Sequence, residues 1–145
     1  PDEGSCQSLV DLLVCDDLDL REVVAHSRGA YLLRESLRLA GPKVFEKHSG
    51  FKIITLGGVV DFEEGADVTQ YIGELDWVGR LYSDLSIEHE NVRYCGHHLN
   101  PSLPASMPLE FLSKKTPRRG GVGIRSLDSY SHREGEDQVS FISLF

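Results

Sequence analysis

Three side chains in this sequence are of the types that an acyl-transfer centre requires: the hydroxyl of Ser27, the carboxylate of Asp76 and the imidazole of His97. Ser27 lies in Val23-Val24-Ala25-His26-Ser27-Arg28-Gly29-Ala30, a small-x-Ser-x-Gly pentapeptide preceded by an apolar run. A serine hydroxyl is a weak nucleophile until an adjacent base takes its proton, and that base is in turn oriented by a third group. To raise such a hydroxyl above a sheet, the chain must turn from strand to helix at one residue, in a strained conformation that tolerates only small neighbours. Ala25 and Gly29 are those neighbours. The helix that follows brings its positive dipole end and free N–H groups to the place where an oxyanion forms, with the backbone N–H of Arg28 among them. The plain alternative is a tight βα turn in which Ser27 only caps the helix.

Asp76 follows a strand expected over Val68–Ile72 and opens Asp76-Trp77-Val78, an apolar run able to anchor its loop. Such an acid holds the imidazole in one tautomer and stabilises its charged form. Taken alone, Asp76 reads as well as a turn or helix-start carboxylate, and Asp61 and Asp67 are rivals. For the base, Val92-Arg93-Tyr94-Cys95-Gly96-His97 favours His97, with His98 next and His132 as a competitor in a longer loop.

The elements that must position these groups can be read from periodicity. Leu9, Leu12 and Leu13 fall at helical spacing within 8–14, and Leu33, Leu37 and Ala40 do the same within 30–40, where Gly41-Pro42 ends the helix. Strands are expected over Glu22–Ala25, Phe51–Leu56 (closed by Gly57-Gly58), Val68–Ile72 (closed by Gly73) and Val92–Cys95. Strand, helix and strand in alternation predict a parallel α/β sheet covered by helices. Residues 1–112 form the core portion. Residues 113–137, with Lys114, Lys115, Arg118 and Arg119 among glycines, read as a flexible basic and polar segment, and 138–145 as a terminal strand candidate.

In the chain order Ser, Asp, His, these residues resemble the α/β-hydrolase superfamily of serine lipases and esterases. Ala25 stands where the first glycine of the nucleophile elbow is commoner. Val92 to His97 resembles the strand-Gly-His element that closes many members, and Pro104, Pro108, Leu109, Glu110, Phe111 and Leu112 have the look of their last helix. The resemblance covers Leu9 to about Leu112, the carboxyl-terminal half of such a domain. It lacks the amino-terminal strands and the loop that donates a second oxyanion N–H. It implies a partial parallel sheet without a lid, and a serine hydrolase of esterase, lipase or thioesterase kind, or a fragment or subunit of one. Ser27 is then the nucleophile, His97 the base, Asp76 the acid and Arg28 N–H the oxyanion donor. The substrate implied is a small acyl or ester compound, with no cofactor. A non-catalytic hydrolase-like subunit or scaffold is the alternative, with a partner chain covering the sheet edge that the missing strands leave open.

Composition narrows the remaining classes. Across 145 residues the net charge is −8, which argues against a general nucleic-acid binder or docking on an anionic membrane. Hydrophobic residues at 40% and charged residues at 26% fit an ordinary folded domain. No apolar run approaches the roughly 20 residues that span a bilayer, and the acidic start Pro1-Asp2-Glu3 is unlike a secretory signal. The chain begins without Met, so a processed or trimmed chain, or one cut from something longer, is expected. Cys6, Cys15 and Cys95 are too few and too irregularly spaced for a disulfide framework, so a soluble protein of the cytoplasm or another reducing compartment is expected. Cys95, His97, His98 and His89 lie close in sequence, but no second Cys/His pair accompanies them and no metal site is expected.

Overall fold

The computed structural model describes residues 3–15, 19–63, 66–107, 122–124 and 141–144. Along them run helix α1 (Glu3–Leu13), strand β1 (Glu22–His26), helices α2 (Arg28–Ala40) and α3 (Lys43–Lys47), and strands β2 (Lys52–Leu56) and β3 (Asp67–Gly73). Helix α4 (Trp77–Tyr82) and strands β4 (Glu90–Val92), β5 (Val122–Ile124) and β6 (Phe141–Leu144) complete the order. The strands form one sheet in the order β4-β3-β2-β1-β6-β5, and every neighbouring pair is parallel. This is the α/β arrangement expected from the alternation of elements. No helix among the described residues is long and apolar enough to cross a membrane.

Side chains of a strand alternate between faces, and both faces here are covered. Val23 and Ala25 of β1 and Ile53 of β2 join Leu9 and Leu13 of α1, Leu33 and Leu37 of α2, and Val44 of α3 in one buried cluster. Val24, Ile54 and Leu56 point the other way, against Tyr71, Cys95 and Met107. Helix α2 ends at Gly41, whose φ of 82° is costly for a side-chain-bearing residue, and the Gly41 N–H donates to the Leu37 carbonyl at 3.0 Å.

Three sequence expectations need correction. The strand expected over Val92–Cys95 is displaced to Glu90–Val92, because Arg93 and Tyr94 form a turn with Tyr94 at φ 58°. Residues 122–124, inside the segment read as flexible, form a strand. The edge of β1 expected to be open is paired by β6 of the same chain, Val23 opposite Ile142 and Ala25 opposite Leu144. Of the residues likened to a last helix, Pro104 lies in a turn, while Pro108 to Leu112, the rest of 113–137 and His132 lie outside the described residues.

Candidate active site

Because all strands run in parallel, their carboxyl ends lie along one edge of the sheet, and the loops that leave them share it. Ser27 sits there between β1 and α2 with φ 56° and ψ −118°, a conformation that stores on the order of 1–3 kcal/mol for a non-glycine residue. It forms no side-chain cap on α2, so the reading of Ser27 as a simple helix cap fails. Its N–H donates to the Leu56 carbonyl at 2.9 Å, which extends the β1–β2 pairing up to the turn, and its own carbonyl accepts from Ala30 N–H at 3.1 Å.

The Ser27 Oγ lies 2.8 Å from His97 Nε2, and His97 Nδ1 lies 2.8 Å from Asp76 Oδ2. A carboxylate only accepts, so Nδ1 carries the ring proton and Nε2 is left to accept from the serine hydroxyl. Asp76 is 1% exposed, and its second oxygen accepts from the Gly79 N–H at 2.6 Å. It is therefore also the N-cap of α4. One oxygen of Asp76 thus meets the imidazole and the other caps α4. Arg28 is the first residue of α2, where backbone N–H groups have no intrahelical partner.

The rival residues are placed elsewhere. Asp61 is exposed and pairs with Arg34 at 2.8 Å, which holds its carboxyl below the usual range. Asp67 opens β3, at the opposite edge of the sheet. His98 uses both ring nitrogens away from the serine: Nε2–H donates to the Pro104 carbonyl at 2.7 Å and Nδ1 accepts from Asn100 N–H at 3.3 Å. The Cys95 thiol faces the carbonyls of Arg93 and Ser106, and burial pushes its pKa up. Among the described residues no three His, Cys, Asp or Glu side chains gather as a metal site. A cleft of about 90 Å³ between Arg34, Leu37, Phe45 and Phe62 contains none of the three converging residues.

Glycines whose part the sequence reading missed make this convergence sterically possible. A Cβ on Gly57 (φ 70°) would lie 3.0 Å from Asp76 Oδ2 and 3.1 Å from His97 Nδ1. One on Gly58 would lie 2.8 Å from the Ser27 carbonyl oxygen, and one on Gly79 would overlap the Asp76 carboxylate. At Gly73 it would run into the carbonyls of Cys95 and Gly96, where the segment carrying His97 crosses the end of β3. The loop after β2 is fixed by buried Gln70, whose Oε1 accepts from Thr55 Oγ1 and Val60 N–H at 2.9 Å each, while its Nε2 donates to the Val60 carbonyl at 2.8 Å. In the sequence the signal for Gly57 and Gly58 is their pairing at a strand end, which by itself marks only a strand terminator.

No protein-family model, curated protein or solved structure matches this chain.

Proposed function

We propose that this chain is a serine hydrolase of the α/β-hydrolase type, or a part of one, that cleaves esters or related acyl compounds through an acyl-enzyme. The observation that carries this reading is the continuous hydrogen-bonded line Ser27–His97–Asp76, two links of 2.8 Å, starting from a serine with positive φ between a parallel strand and a helix. Ser27 Oγ attacks the acyl carbon as its proton passes to His97 Nε2. Asp76 holds the ring and stabilises the imidazolium. The carbonyl oxygen becomes an oxyanion beside the Arg28 N–H, at the positive end of α2. Collapse of the tetrahedral intermediate returns the proton from His97 to the leaving group. A water then enters by the same route in reverse, giving the acid and free Ser27. Exposed Leu75 and Trp77 flank Asp76 in the chain, and exposed Tyr94 lies in the turn before His97. They offer apolar surface to an uncharged acyl group.

The test is labelling with a fluorophosphonate, which phosphonylates an activated serine. The expected result is stoichiometric modification of Ser27, abolished in Ser27→Ala. A folded protein that stays unlabelled while a control esterase reacts overturns the proposal.

A further inference from the structure

One titratable side chain at the site takes no part in the proton relay. His26, the residue before Ser27, ends β1 half-buried, with Nε2 2.6 Å from the backbone carbonyl oxygen of His97. A carbonyl only accepts, so this nitrogen carries the proton. The two imidazoles lie 5.0 Å apart between centroids, tilted by 40°. His97 belongs to neither strand nor helix, so no ladder of backbone bonds holds it. Its neighbours are tied by single backbone links, Gly96 N–H to the Ala105 carbonyl at 2.7 Å and Met107 N–H to the His98 carbonyl at 3.0 Å. The link on residue 97 itself comes from the nucleophile's own strand.

We propose that His26 is a positioning residue, whose Nε2–H bond to the His97 carbonyl clamps the base-bearing segment onto the elbow and so sets the Ser27–His97 distance. The proposal rests on the hydrolase reading above. Proton transfer needs heavy atoms within about 2.6–3.2 Å, and an irregular segment reaching a turn from a remote part of the chain has many ways to miss that window. A bond from residue 26 to residue 97 makes the donor and the acceptor of the relay move as one unit. The state of the ring suits the task. Burial holds the His26 pKa below the ordinary histidine value; the bond to the His97 carbonyl opposes this, the nearby His97 ring adds to it, and the Asp76 carboxylate opposes it. The neutral form of His26 is thereby favoured beside a His97 that must accept a proton.

The test compares His26→Phe, which keeps an aromatic ring and removes the donor, with His26→Gln, which keeps an N–H donor. Both are read by the fluorophosphonate labelling rate, by kcat and KM on a p-nitrophenyl ester, and by thermal unfolding. His26→Phe is expected to label and turn over about tenfold to a hundredfold more slowly, with kcat falling and KM unchanged. His26→Gln is expected to stay within a few-fold of the unmodified protein. Histidine ring ¹⁵N–¹H correlations supply a readout independent of activity. They should show His26 in the Nε2–H tautomer, and His97 held as the Nδ1–H tautomer in the unmodified protein but mixed in His26→Phe. A folded His26→Phe that labels at the unmodified rate overturns the proposal, as does a His26→Gln as slow as His26→Phe, which would assign the effect to ring shape. If His26→Phe does not fold, the decision falls to His26→Gln and the tautomer of the unmodified protein, and an Nδ1–H tautomer at His26 overturns the clamp. An unmodified protein that never labels sinks the hydrolase reading instead, and the ring correlations then judge the clamp alone.

Discussion

Ser27 and His97 are held by opposite kinds of structure. Ser27 sits on the junction of a five-residue strand and a 13-residue helix, where the strand pairing on one side and helical bonding on the other leave its backbone no freedom. His97 lies in an irregular stretch, fixed by scattered links: Leu75 N–H to the Cys95 carbonyl at 2.9 Å, Gly96 to Ala105, His98 to Met107, and the His26 ring. The elbow's geometry is local and stored as backbone strain. The geometry of His97 is assembled from a distance and depends on what surrounds it. The difference teaches where each half of the site is vulnerable: the elbow to loss of its one hydroxyl, the arm to small changes in many neighbours.

Four outcomes sharpen or break this contrast. The largest is Ser27→Ala, expected to lower kcat by about 10⁶-fold with thermal unfolding nearly unchanged, since the hydroxyl caps nothing on α2. A variant with substantial residual turnover would move the chemistry away from the elbow. Asp76→Asn acts on the arm, and ester turnover should drop about 10⁴-fold at unchanged KM, because the amide favours the wrong imidazole tautomer. Gly57→Ala leaves Ser27, His97 and Asp76 all in place but crowds the last two. Its Cβ would sit 3.0 Å from Asp76 Oδ2 at a φ of 70°, so kcat should fall about 10²-fold and denaturant unfolding should show a loss of about 1–2 kcal/mol. Wild-type behaviour there would mean the arm is looser than described.

The smallest effect is a pH dependence. The folded pKa of His26 is lowered from 6.5, mainly by burial. Between the two values the unfolded chain binds more protons, so stability rises with pH there. The contribution of His26 is complete above about pH 6.5 and is lost as pH falls through the lower folded value. Denaturant unfolding across pH 5–8 should therefore show a shallower acid decline in His26→Phe than in the unmodified protein. Parallel declines would remove His26 from the account.

Much of this was legible along the chain because it is local. Leu33 and Leu37 at helical spacing, the apolar run before Ser27 and the small residues Ala25 and Gly29 marked strand, turn and helix within a few residues of their true bounds. Tyr94 misled, since an aromatic in an apolar run suggests a strand, whereas here it takes a positive φ in a turn. Helix α4 shows in the sequence only through its start at Asp76, because its six residues, with Trp77, Leu81 and Tyr82 exposed, carry no apolar stripe that faces the core.

Sequence alone determined which residue types were available and which backbone could bend sharply at Ser27, because short-range sterics and side-chain period act over a handful of neighbours. Only the folded molecule decided that His97, and not the adjacent His98, meets the serine, that Asp76 divides its oxygens between α4 and the imidazole, and that β6 lies beside β1. Those outcomes depend on pairings between parts of the chain far apart in sequence, and nothing in the local order of residues encodes the angle at which two distant loops arrive.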